Sequence, residues 1–261
     1  MAYFPMYVDI EQNMCIVVGG GNVATGKVVQ LLEFGAAVTV IAPEVTKQLK
    51  TLAQTGKIIW YPYAFPHISG QILENRKTRE PQTILEAQET HNEKTPQSRK
   101  EQNAAEMIQS STLVVAATNV PAVNQYVSML CKMHRIPVNV VDEKELCTFF
   151  FPAIVKRDEV IVSVSTSGSS PALAAKLRRE LEMQIPESYG RAAKSLGECR
   201  DYVRARVADG KLRKKIFEKL LVYALAEEVL SEELLTAVIE ESVQEKEVGT
   251  ERGGTCSEHL S

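Results

Sequence analysis

The chain has 261 residues, 44% of them hydrophobic and 24% charged, at a formal net charge of −3, which excludes wholesale disorder and leaves room for one large or two smaller cores. No apolar run approaches the roughly 20 residues that span a bilayer, and the N-terminus lacks a basic start before an apolar stretch, so a cytoplasmic protein without a membrane anchor is expected. Five scattered cysteines and four histidines, none at metal-ligand spacing, suggest plain thiols and no protein-held metal.

Along the chain, Met14 to Val18 is an apolar run of strand length that ends on three glycines. Apolar residues at helical spacing follow from Val23 to Phe34, and Gly35 sits where a helix would be capped. Ala37 to Ile41 reads as the next strand, stopped by Pro43, and completes a βαβ unit. A helix over Val45 to Thr55 and a strand over Lys57 to Tyr61 extend the pattern. After an interruption it resumes as a strand (Thr112 to Ala117), a helix opened by Pro121, and a strand (Pro137 to Val141). Alternation at this spacing predicts an α/β fold with a Rossmann-like parallel sheet covered on both faces over residues 1–150.

The interruption, a polar insert near 71–107, has only Ile84, Leu85 and Ala87 as apolar residues between Arg76 and Asn103; it predicts a mobile loop or fraying surface helix. Beyond the sheet, Phe151 to Val164 holds two apolar runs around the charged turn Lys156 to Glu159, a hairpin or added pair of strands. Ser170 and Pro171 open a helix to about Met183, so residues 151–185 form a small α+β region. Helices over Ser188 to Val207, Leu212 to Ala226 and Ser231 to Ser242 make 186–242 a helical C-terminal region, and 243–261 reads as a disordered acidic tail.

Charge is uneven. Residues 151–215 hold 14 Lys and Arg against 8 Asp and Glu, and residues 216–261 hold 3 against 11. The basic block suggests an anionic ligand; the competing reading is a set of solvated helix faces balanced by the acidic tail. Nucleic acid is disfavoured as a partner, because few aromatics are available to stack bases and the tail would repel phosphate.

The strongest local signal is Gly19-Gly20-Gly21-Asn22-Val23-Ala24, which fits G-x-G-x-x-A between a predicted strand and helix. Gly19 would make the turn, Gly21 would let backbone approach a pyrophosphate, and the helix N-terminus would supply N–H groups. The end of the second strand offers Pro43 and then Glu44, without an arginine nearby, which favours NAD over a 2′-phosphorylated cofactor. Thr118 and Asn119 close one strand with polar groups suited to the nicotinamide ribose, or to capping the next helix. Asp142 closes another with a carboxylate, a candidate general base where no histidine lies near in sequence.

Together, Gly19 to Ala24 with Lys27, Ala116 to Asn119 with Asn124, Asn139 to Asp142, Phe151-Pro152-Ala153 and Ser165 to Pro171 resemble the precorrin-2 dehydrogenase/sirohydrochlorin ferrochelatase family in its stand-alone form, from about Pro5 to about Leu225. The resemblance implies NAD-dependent oxidation of precorrin-2 to sirohydrochlorin in siroheme biosynthesis. In some members it further implies insertion of ferrous iron, bound by the tetrapyrrole nitrogens. It places the catalytic aspartate on Asp142 and the cofactor contacts on Asn22, Val23, Pro43 and Glu44. It also implies a homodimer interlocked through Phe151 to Met183, where residues 151–185 would serve dimerisation and substrate binding. A serine of the fused enzymes that can be phosphorylated falls on Thr166 here. Precorrin-2 carries carboxylates, so Thr166, Ser167, Lys156, Arg157, Lys176, Arg178 and Arg179 are the expected substrate-side contacts. The alternative is a non-catalytic module that senses NAD without turnover, for which Asp142 would be dispensable.

Overall fold

The computed structural model describes residues 4–66 and 96–253, which divide into two compact units, Met1–Phe151 and Pro152–Ser261. The first unit is built on β1 (Met14–Val18), α1 (Asn22–Leu32), β2 (Ala37–Ile41), α2 (Lys47–Gln54) and β3 (Ile58–Tyr61). It continues with α3 (Pro96–Gln109), β4 (Leu113–Ala116), α4 (Pro121–His134), β5 (Val138–Val140) and a 3-10 turn over Lys144–Leu146. The five strands form one parallel sheet in the order β3-β2-β1-β4-β5.

The apolar runs alternate between two cores because successive strand side chains face opposite sides. From β1, Ile16 and Val18 join Val114, Val138 and Val140 under α3 and α4, where Ala104, Ile108, Val127 and Cys131 are buried. Cys15 and Val17 face the other way, with Val38, Val40 and Val115, against Ala24, Val28 and Leu31 of α1 and Leu49 of α2. Both faces are covered, so these strands read as continuous apolar runs.

Of the polar insert, residues 67–95 lie outside the described residues. Its remainder, residues 96–107, belongs to α3, which buried Ala104 and Ile108 fasten to the sheet.

The second unit begins with β6 (Ala153–Arg157) and β7 (Val160–Val164), an antiparallel pair forming its own sheet. Five helices follow: α5 (Pro171–Gln184), α6 (Glu187–Glu198), α7 (Arg200–Arg206), α8 (Gly210–Leu225) and α9 (Glu232–Gly253). Ser170 caps α5 by accepting the Leu173 N–H, with Pro171 opening the helix. The single helix expected over Ser188 to Val207 is two, divided at Cys199. A separate core forms from Val203, Ile216, Leu220, Leu235 and Val238.

The acidic tail expected from Val243 is instead helical to Gly253. Glu245 of this stretch pairs with Lys219 at 2.9 Å and with Lys215 at 2.6 Å, and Glu241 just before it pairs with Lys219 at 3.0 Å. Residues 254–261 lie outside the described residues.

Candidate functional site

Strand order reverses between β1 and β4, which makes their carboxyl ends the natural mouth of a ligand crevice. The loops gathered there follow β2, β1, β4 and β5, and they carry Glu44, the glycine turn, Thr118–Asn119 and Asp142 in that order across the sheet.

The three glycines of the turn do different things. Gly19 has φ +126°, and a Cβ there would lie 2.3 Å from the Ala117 carbonyl oxygen, so the turn is packed against the end of β4. A Cβ on Gly20 would lie 2.0 Å from the Glu44 carbonyl oxygen, which presses the turn against the β2–α2 loop. At Gly21 that position meets no other part of the described residues within 4 Å beyond its own chain neighbours. Backbone is therefore exposed at the point where the fingerprint requires a pyrophosphate to approach. Gly21 is also the N-cap of α1, no side chain caps this helix, and Asn22 and Val23 in its first turn are exposed. A phosphate-bearing group fits these donors.

On the adenosine side, Pro43 and Glu44 are exposed. Their loop is fixed from beneath: the Trp60 indole N–H donates to the Ala42 carbonyl at 2.9 Å, and Thr46 N–H donates to the Gly20 carbonyl at 3.0 Å. On the other side, Thr118 is committed to a local network. Its hydroxyl donates to Asn124 Oδ1 at 2.8 Å, and Asn124 Nδ2 returns a bond to the Thr118 carbonyl at 3.0 Å. This network occupies Thr118, although no side chain caps α4, whose N-cap is Val120, while Asn119 beside it is exposed. Asn124 is 4% exposed and shapes this strand end, a role its place within α4 did not announce.

Asp142 is exposed and has φ +61°, a left-handed conformation that asparagine and aspartate tolerate better than most residues. Val141 N–H donates to the Ala116 carbonyl at 3.0 Å, so Asp142 stands beside the end of β4. Its loop is closed by Cys147. The thiol sulfur accepts the Val140 N–H at 3.2 Å and faces the carbonyls of Val140 and Glu143 at 3.2 and 3.4 Å. Burial pushes the Cys147 thiol up from its usual pKa, so it remains a protonated donor. Asn139 donates to the Phe149 carbonyl at 3.1 Å, and Ser128 to the Leu146 carbonyl at 2.7 Å. No spacing rule points to Cys147, because its partners belong to the bare edge of β5.

The basic candidates of the second unit are largely engaged. Lys176 pairs with Glu180 and Arg178 with Glu182 along α5. Arg157 donates to the Ile185 and Glu182 carbonyls and pairs with Glu187 at 3.0 Å, binding the end of α5 to β6. Arg179 is exposed and makes none of these pairs. Thr166 accepts the Ser170 N–H and donates to the Ser170 carbonyl, while Ser167 is exposed at φ +53°. Within the basic block, Arg157, Lys176, Arg178, Arg191, Lys214 and Lys215 thus pair with carboxylates of the same unit, which accounts for part of its charge.

Fold, glycine turn and strand order define a dinucleotide-binding protein of the Rossmann type. An NAD(P)-binding family matches residues 6–153, the sirohaem biosynthesis protein central region matches 162–184, and the sirohaem synthase dimerisation region matches 188–238. The chain belongs to this NAD(P)-binding family, in the domain arrangement of the sirohaem-synthesis proteins, as its motifs suggested. The siroheme synthase of Nitrosospira multiformis is 37% identical over 235 residues, covering 88% of this chain and 42% of that protein. That of Ruthia magnifica is 32% identical over 244 residues, covering 94% and 44%. The chain thus spans less than half the length of these relatives. Among solved structures, SirC, a precorrin-2 dehydrogenase, shares the fold with a TM-score of 0.56 at 21% identity, covering 93% of this chain and all of that one. Among the described residues, no helix is long and apolar enough to cross a membrane.

Proposed function

We propose that this chain oxidises precorrin-2 to sirohydrochlorin in siroheme biosynthesis, using NAD, with Asp142 as the proton acceptor. The observation that carries the reading is Asp142 itself: an exposed carboxylate in a left-handed turn, at the end of the strand beside β4, on the same sheet edge as the open glycine turn. Strands lie about 4.8 Å apart, so the end of β5 is roughly 10 Å from that of β1, a span within reach of the nicotinamide half of a dinucleotide held at Gly21.

In this reading Gly21, Asn22 and Val23 hold the pyrophosphate with backbone N–H groups, Glu44 accepts from the adenosine ribose hydroxyls, and Gly19 and Pro43 keep the two loops in place. Asn119 faces the nicotinamide ribose, with Thr118 ordering its loop. When bound, the nicotinamide supplies the two-electron acceptor. Asp142 takes the proton that leaves the macrocycle as conjugation extends, and it passes that proton to solvent, to which it is open. Thr166, Ser167, Lys176 and Arg179 are proposed to meet the substrate's acid groups, Lys176 by exchanging Glu180 for a substrate carboxylate. The match to the dimerisation region supports pairing with a second copy, and a cytoplasmic site of action suits an acid-rich, water-soluble substrate. Ferrous iron is a second proposed substrate.

The test is direct. Purified chain given precorrin-2 and NAD is expected to develop the sirohydrochlorin absorbance, and no development at any cofactor concentration contradicts the proposal. Supplying sirohydrochlorin with ferrous ion then shows whether chelation accompanies oxidation.

A further inference from the structure

Between α1 and α2 lies a chain of side-chain hydrogen bonds that the fingerprint does not include. Thr25 is buried in α1, and its hydroxyl lies 2.9 Å from the Gly21 carbonyl and 2.8 Å from the Thr46 hydroxyl. Thr46 is the N-cap of α2, and its hydroxyl oxygen accepts the Leu49 N–H at 3.3 Å.

Counting protons orients the chain. The Gly21 carbonyl can only accept, so the Thr25 proton belongs there. The Thr25 oxygen is then the acceptor for the Thr46 proton, and the Thr46 oxygen accepts from Leu49. One arrangement places every proton: Leu49 N–H to Thr46, Thr46 O–H to Thr25, and Thr25 O–H to the Gly21 carbonyl. Each bond polarises the next, so the chain acts as a unit. Two further contacts run beside it, the Thr46 N–H to the Gly20 carbonyl and the tight approach of Gly20 to the Glu44 carbonyl.

We propose that the Thr25–Thr46 relay is a positioning device for the dinucleotide, fixing the distance between Gly21, where the pyrophosphate is held, and Glu44, where the adenosine ribose is held. This rests on the dinucleotide reading of the glycine turn. Neither threonine touches cofactor or substrate; both act through the loops they join. The relay sets affinity for the adenosine half and leaves the chemistry at Asp142 alone.

Trp60 is the only tryptophan of the chain, and its indole is bonded to Ala42 at the base of the Glu44 loop. Energy transfer from Trp60 to NADH therefore reports binding without turnover. Thr25→Val keeps the shape and removes the hydroxyl. It is expected to raise the NADH dissociation constant and the KM for NAD about three- to tenfold, with kcat at saturating NAD within about twofold of the parent. Thr25→Ser is expected to restore parental affinity. Thr46→Val is expected to weaken binding similarly, and the double substitution no more than the weaker single variant, since a relay breaks once. Unchanged NADH affinity in Thr25→Val overturns the proposal, as do fully additive single effects or a failure of Thr25→Ser to restore binding. Absence of NADH binding by the unsubstituted chain overturns the dinucleotide reading, and the role of the relay with it.

Discussion

The Met1–Phe151 unit and the Pro152–Ser261 unit use their polar groups in opposite ways. In the first, strands buried on both faces carry the stability, and the groups at their carboxyl ends are left open: Gly21, Asn22, Glu44, Asn119 and Asp142 face outward at one edge. In the second, a smaller helical core is joined by a mesh of ion pairs, from Arg157 with Glu187 to Lys219 with Glu241 and Glu245. Charge density in a sequence therefore points to a ligand only where the charges are not already spent on one another. The open edge is the better candidate site, and part of the basic block is framework.

The largest effects that would break this contrast are in the cores. Ile16→Ala and Ile216→Ala each remove a fully buried side chain, and each is expected to cost about 2–5 kcal/mol in denaturant unfolding. A loss below about 1 kcal/mol at Ile216 would mean that the second unit rests on its ion pairs after all.

Next come the glycines. Gly20→Ala drives a Cβ into the Glu44 carbonyl and is expected to lower stability by about 1–3 kcal/mol. Gly21→Ala meets nothing in the protein and should leave the melting temperature unchanged, yet weaken NADH binding roughly tenfold by blocking the approach of phosphate. Equal losses of stability in the two variants would contradict the assignment of separate roles.

Much of this contrast was legible in the sequence. The run Met14 to Val18, the glycine turn and Pro121 each carry a local signal, so the sheet, the turn and the opening of α4 follow from short-range rules. Asp142 stands out as a candidate because a strand end is a local feature. What stayed hidden depends on partners distant in sequence. The acidic stretch after Ser242 reads as a tail until Lys215 and Lys219 of α8 are brought beside Glu245. Likewise Thr46 looks like a helix cap and nothing more until the fold sets Thr25 against it, and Cys147 looks inert until β5 offers it an unpaired N–H.

A smaller effect sharpens the picture of the open edge. Cys147→Ala removes the sulfur from the Val140 N–H and is expected to cost about 1 kcal/mol, with kcat falling more than NADH affinity because Asp142 rides on that loop. Cys147→Ser, which retains a donor and an acceptor, should recover most of the lost rate. Affinity and rate falling together would place the loop nearer the phosphate turn than this account allows.

The smallest effect is electrostatic. The Lys215 and Lys219 ammonium groups hold Glu245 at about 2, and Lys246, with the Lys211 backbone N–H, holds Asp209 at about 2. Both values lie below those of an unfolded chain, so the stabilisation is present above the ordinary carboxylate range and is lost as pH falls toward about 2. These groups are exposed, so salt should screen them. A modest, salt-sensitive drop in melting temperature on acidification is expected, reduced in Glu245→Gln. A drop that is identical in Glu245→Gln at every salt concentration would remove α9's ion pairs from the account.

The central claim is that one carboxylate at the end of β5 serves a dinucleotide held at the end of β1. Asp142→Ala, assayed for sirohydrochlorin formation while Trp60 energy transfer to NADH is titrated in the same preparation, tests it most directly. The account predicts roughly 100-fold or greater loss of oxidation with NADH affinity intact. Oxidation at the parental rate, or a loss traced wholly to weaker NADH binding, would contradict it.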